Sequence, residues 1–134
     1  RLCPQGSWLT MQVEIVGKNS CGRWHQDQYV GRATVSYTGP GTWLVDDESV
    51  QFDQFQATRG TPNQVSDPLI VPDYGSIHRT HVNSVVLIKG NSWPGITGVG
   101  VTHKSPNVPA DENGNPVVKR LMLKVDLSMI EPGV

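Results

Sequence analysis

Apolar and polar residues alternate with a period of two along several short stretches of this chain. The clearest stretch runs from Val117 to Leu127. Val117, Lys119, Leu121, Leu123, Val125 and Leu127 fall on one side, and Val118, Arg120, Met122, Lys124 and Asp126 on the other. Successive side chains of an extended strand point to opposite faces, so this pattern predicts one long half-buried strand with Leu121, Leu123 and Val125 inside. Thr10 to Val16 predicts a second strand, with Met11, Val13 and Ile15 opposite Thr10, Gln12 and Glu14, and Arg32 to Tyr37 a third. Within His81 to Lys89 the unbroken run Val85-Val86-Leu87-Ile88 fits a strand covered on both faces. Shorter candidates are Trp43 to Val45, Leu69 to Val71 and the glycine-broken Ile96 to Val101.

Turn-forming residues separate these stretches, as in Thr38-Gly39-Pro40-Gly41, Trp93-Pro94-Gly95 and Asn113-Gly114-Asn115-Pro116. Asp46 to Arg59 follows neither the helical nor the strand period, and helix and strand stand level there. The whole pattern predicts an all-β, mostly antiparallel domain over residues 1–134. A single sandwich or barrel of roughly seven or eight short strands, with at most one short helix, is the expected architecture.

Composition supports that class. Charged residues make up 17% of the chain, and their place is taken by neutral polar residues, 14 glycines and 10 prolines, which favour turns over helices. A net charge of −1 provides no field for nucleic acid, and no apolar run approaches the roughly 20 residues of a membrane-spanning helix. Neither nucleic-acid binding nor membrane insertion is expected.

Cys3 and Cys21 are the only cysteines, and their spacing matches neither a zinc site nor a redox pair. A disulfide between them is expected, contributing about 3 kcal/mol by the chain-entropy argument. That bond, a start at Arg1 without Met or signal peptide, and the absence of any Asn-x-Ser/Thr acceptor together point to a secreted or periplasmic, bacterial setting.

No motif prescribes a reaction. Gly90-Asn-Ser-Trp-Pro-Gly95 departs from a nucleophile elbow at Pro94, and there is no phosphate-binding loop. The most compact group of metal-ligating residue types is His78 and His81 with Asp73 upstream, with His103 and His25 elsewhere. Residues three apart on a strand face opposite ways, so neither a metal nor any other cofactor is expected there. Asp111 to Asn115 has calcium-like oxygen chemistry, but Asn113-Gly114 makes it a plain hairpin turn.

Four tryptophans are many for a chain of this size, and Trp24 and Trp93 stand among turn residues. A tryptophan on a turn offers a flat face to a sugar ring, with polar neighbours to bond its hydroxyls. Trp24, Trp93, Arg23, His25, Asp27 and Asn91 therefore form the expected ligand-binding set, and no catalytic residue is assigned. The leading expectation is a lectin-like module for carbohydrate or a cell-surface glycan. Two alternatives stand beside it. One is a protein-interaction or structural module, such as an inhibitor, a pilus or coat subunit or a toxin component. The other is a small secreted hydrolase built on His78, His81, Asp73 and His103.

Overall fold

Seven strands and two short helices make up the regular structure of the computed structural model, which describes residues 4–17, 21–96 and 99–130. In chain order they are β1 (Trp8–Val16), β2 (Gly31–Ser36), β3 (Trp43–Val45), α1 (Phe52–Ala57), α2 (Asn63–Ile70), β4 (His78–Arg79), β5 (Val85–Lys89), β6 (Thr102–Lys104) and β7 (Arg120–Ser128). All the pairings are antiparallel. A four-stranded sheet runs β1-β7-β2-β5 and a three-stranded sheet runs β4-β3-β6. The protein is therefore mostly antiparallel β, with two sheets. No helix among the described residues is long and apolar enough to cross a membrane.

Several expectations need correcting. There are two short helices rather than at most one. Asp46 to Arg59 contributes a 3-10 turn over 47–49 and then α1, and Leu69-Ile70, expected in a strand, end α2. A helix forms there because Gln54 and its neighbours bond locally, with the Thr58 amide and hydroxyl both closing onto the Gln54 carbonyl. The expected strand at Ile96 to Val101 begins only at Thr102. β5 is an edge strand with Val86 and Ile88 buried and Val85 and Leu87 exposed, not a strand covered on both faces.

β7 carries the most informative correction. Its alternation is real, but the faces are exchanged: Arg120 and Met122 are buried, whereas Leu121, Leu123 and Val125 are only half-buried. The register explains this. Ile15 pairs with Leu121, Val13 with Leu123 and Met11 with Val125, and Val35 and Ala33 continue the same face to Val85 and Leu87. That face is apolar and points outward, with Met11, Val13, Ile15 and Val85 each more than two-thirds exposed. The opposite face carries Glu14, Lys124, Arg32, Asp126, Thr34 and Ser36 and turns inward.

The apolar core is built mainly from the smaller sheet, the helices and their loops. Trp24, Val45, Val50, Ile70, Val71 and Ile77 are buried together, with Trp43 and Phe55 packed against them. Burying such side chains contributes about 1.5–3 kcal/mol each. A cavity of about 100 Å³ is walled by Arg32, Thr34 and Met122 from the larger sheet and by His103 and Lys104 from the smaller.

Candidate functional site

Two histidines meet at this cavity through backbone pairing. His25 and His103 form an isolated antiparallel bridge, exchanging amide–carbonyl bonds of 3.0 and 2.9 Å. Residues directly opposite in such a pair present their side chains on the same side. The imidazole centroids accordingly lie 4.4 Å apart. Asp27 follows His25 by two positions, and in extended chain that spacing returns the side chain to the same face.

The three groups converge. Nε2 of His25 lies 3.7 Å from one Asp27 oxygen, and Nε2 of His103 lies 3.6 Å from the other. One atom from each residue falls within 4.8 Å of the other two, with Asp27 and His103 buried and His25 half-buried. Each imidazole bonds a backbone carbonyl through Nδ1: His25 to Arg23 at 2.8 Å and His103 to Val101 at 2.9 Å. A carbonyl only accepts, so each Nδ1 carries a proton in these bonds, and in the neutral ring Nε2 then presents a lone pair towards Asp27. Burial, opposed by the Val101 bond and reinforced by His25, holds the His103 pKa below its ordinary value, which keeps the ring neutral.

Two neutral nitrogen lone pairs facing a carboxylate repel it unless a cation lies between them. Oδ2 of Asp27 is buried and accepts no hydrogen bond. Its nearest fixed charge is Arg32 at 3.4 Å, which also ion-pairs with Asp126. Three ligands about 2.1 Å from one ion, in adjacent positions, stand about 3 Å apart, so these atoms, which lie within 4.8 Å of one another, would draw together to close on a metal. Imidazoles whose other nitrogen is anchored on a carbonyl are the usual form of metal-binding histidines. These residues fit a metal ion.

The expected sugar-binding residues occupy different roles. Trp24 is 2% exposed and belongs to the core, so it offers no face for stacking. It is buried because its loop is drawn inward by the bridge at His25 and by Arg23, whose Nη2 donates to the Phe55 carbonyl and the Thr58 hydroxyl. Trp93 is half-buried, packed against Gly31 with Lys89 Nζ 5.2 Å from its ring. Asn91 holds the site from behind: its amide donates to the Asp27 carbonyl at 2.8 Å, and its Oδ1 accepts from Gly100.

Gly90 makes this close approach possible. A Cβ there would stand 1.9 Å from the Tyr29 carbonyl oxygen, in the segment that carries Asp27. Gly90→Ala should therefore destabilise the protein by about 2 kcal/mol or more, since backbone cannot yield as a side chain does. A thermal melt equal to that of the parent would refute this packing.

The other sequence candidates are not brought together. His78 is exposed and bonds Asp46 through Nε2 at 3.1 Å, His81 is exposed, and Asp73 accepts from the Gly75 amide to cap a short turn. Asp111 likewise accepts from the Asn113 and Asn115 amides, which lowers its pKa and completes the hairpin turn without an ion. Cys21 is exposed and borders the cavity, while its expected partner Cys3 lies outside the described residues. The sequence signal for the site was the His25-x-Asp27 spacing, two ligand types on one face of extended chain, with a third needed from elsewhere.

A family profile described as "Protein of unknown function (DUF1826)" matches residues 1–126. No curated protein and no solved structure matches the chain. The match spans nearly the whole sequence, including His25, Asp27 and His103, and the chain belongs to the DUF1826 family.

Proposed function

We propose that this protein is a mononuclear metal enzyme in which His25, Asp27 and His103 are the three protein ligands to iron(II). The carrying observation is the convergence of two carbonyl-anchored imidazoles on a buried carboxylate that has an unpartnered oxygen. Two histidines and one carboxylate on one face of an ion, with the other positions open, form the ligand set of non-haem iron(II) oxygenases. Iron held in this way supplies a place where dioxygen and a substrate are brought together. The chain's own contribution is to orient the ligands and to restrict access. The His25–His103 bridge sets the imidazoles, and Arg32 steadies Asp27. The two sheets, which we place as facing halves of a β-sandwich, enclose the cavity, a reading supported by its being walled from both.

A hydrolytic zinc site uses a similar ligand set but also needs a carboxylate free to act as a base. The cavity's other acid, Glu14, is held by Lys124, and Asp126 beside it by Arg32. That pairing favours the oxygenase reading over hydrolysis. The carbohydrate reading retains Trp93 alone and is correspondingly weakened.

Anaerobic titration provides the test. The purified chain should bind one iron(II), or one cobalt(II) as a coloured substitute, with d–d bands of a site having nitrogen and oxygen ligands. Binding should weaken on acidification as the pH falls through the His103 pKa, which burial holds below the ordinary histidine value. Iron-dependent oxygen uptake should follow once a substrate is supplied. Absence of stoichiometric binding at neutral pH would overturn the proposal, and tight zinc retention with ester or amide hydrolysis would replace it with the hydrolase.

A further inference from the structure

Asp27 keeps an oxygen open although a cation stands beside it. Nη1 of Arg32 lies 3.4 Å from Asp27 Oδ2, yet that oxygen accepts no hydrogen bond. A guanidinium this close to a buried carboxylate ordinarily closes on it through one or two N–H···O bonds. Here it is held off.

Asp126 does the holding. Arg32 and Asp126 are register partners across β2 and β7, so backbone pairing sets the two side chains next to each other on one sheet face. Nε and Nη2 of Arg32 donate to the two Asp126 oxygens at 2.5 and 3.1 Å, a two-pronged contact that fixes the guanidinium in its plane. The Tyr29 ring adds a second restraint, with Arg32 Cζ 5.1 Å from its centroid. Nη1 is the nitrogen that remains towards Asp27. Asp126 itself lies outside the cluster of His25, Asp27 and His103.

Two carboxylates therefore compete for one guanidinium. Less than a fifth of the Arg32 and Asp27 side-chain surface is exposed, so water and salt screen this competition little. The neighbouring acid, Glu14, is held by Lys124 and offers Arg32 no substitute. Asp27 in turn is fixed from behind, where its carbonyl accepts from the Asn91 amide at 2.8 Å. Neither anion is free to follow the cation.

Resting on the metal reading above, we propose that Asp126 is a positioning residue for the metal site: it draws the Arg32 guanidinium away from Asp27 and so keeps Oδ2 open for the ion. Arg32 stands near enough to offset the charge of Asp27 while no ion is bound. An arriving ion repels the guanidinium, and Asp126 already holds the place to which its charge withdraws. Asp27 thus exchanges one cation for another, and at no stage does Arg32 lack a counter-charge. Without Asp126, Arg32 closes on Asp27 and competes with the metal for the same oxygen.

Cobalt(II) affinity, measured by competition against a chromophoric chelator, tests this on the parent and three variants. Asp126→Ala should bind cobalt(II) about 10- to 100-fold more weakly, the usual worth of a hydrogen bond to a charged group, although Asp126 touches no metal ligand. Arg32→Met should bind as tightly as the parent or more so, since it removes the competitor. The double variant Arg32→Met/Asp126→Ala should match Arg32→Met within about threefold, because Asp126 acts only through Arg32. A merely structural role for Asp126 would leave the double variant at least as weak as Asp126→Ala. Arg32→Met leaves Asp126 in place, so a poorly folding Asp126→Ala keeps the question answerable. Parent-like affinity in Asp126→Ala, a tenfold loss in Arg32→Met, or a double variant as weak as Asp126→Ala each overturns the inference and leaves the metal site standing. A parent that binds no cobalt(II) overturns the metal reading and this inference with it.

Discussion

Replacing Asp27 by Asn should lower metal affinity by more than about a hundredfold, because even partners one shell further out commonly contribute 10- to 100-fold. The substitution nearly preserves shape while removing the one negative charge among the three ligands. Its effect on folding should be small, since Arg32 keeps Asp126 as an ion-pair partner. His103→Ala should cause a comparable loss of affinity. His78→Ala and His81→Ala should bind metal as the parent does, since both side chains are exposed and stand outside the ligand set. Competition against a chromophoric chelator would measure all four variants. Parent-like binding by Asp27→Asn would remove the carboxylate from the site and leave the ligand assignment without its centre.

The second large effect concerns stability. Lys104 is fully buried and ion-pairs with Asp67, which is also buried, with Asn107 Oδ1 accepting a further bond at 2.8 Å. The Lys104 ammonium also lies 5.7 Å and 5.5 Å from the Trp24 and Trp43 rings, so it ties β6 to the apolar core. Removing one member of a buried pair strands the other's charge, at a cost of about 3–5 kcal/mol. Lys104→Met should therefore melt roughly 10 °C or more below the parent. The double variant Lys104→Met/Asp67→Leu should melt closer to the parent than Lys104→Met alone, because it leaves no orphaned charge. A Lys104→Met melt within about 3 °C of the parent would show that the pair is not desolvated as the structure places it.

The outer face of the larger sheet has a separate physical meaning. Leu9, Met11, Val13 and Ile15 of β1 and Val85 and Leu87 of β5 stand exposed on a continuous apolar surface. Soluble proteins rarely leave large contiguous patches of this kind bare. The larger sheet thus departs from the usual arrangement, with charged and polar side chains beside Met122, Val86 and Ile88 on its inner face and an apolar row on its outer one.

Much of the secondary structure was readable along the chain. Thr10 to Val16, Arg32 to Tyr37, Trp43 to Val45 and the latter part of His81 to Lys89 form strands where their side-chain patterns place them, because period two is a local property of extended backbone. The antiparallel β class follows from the same patterns and from the glycine and proline turns. Tertiary contacts decided the rest. Alternation in β7 shows that its two faces differ, but it does not say which one meets the interior. Here Lys124 borders the cavity, Asp126 pairs with Arg32 and Arg120 bonds Ser36, and these contacts hold charged side chains on the inner face against the usual preference. The leucines beside them were left on the outside.

The site divides along the same line. His25-x-Asp27 is a local pair, legible as two ligand types on one face of extended chain. Trp24, between Arg23 and His25, reads locally as a turn residue and is in fact core, because Arg23 reaches α1 and pulls its neighbour down. The third ligand is beyond local reading altogether. His103 joins the pair only because the bridge aligns it opposite His25, and Arg120 and Ser36 meet only because β7 returns beside β2. By itself the chain marked most of its strands and placed His25 and Asp27 together in the expected ligand-binding set, for a sugar rather than a metal. Which faces turned inward, and which distant residues completed the site, was decided by long-range pairing, since side-chain period carries no information about what lies across the next strand.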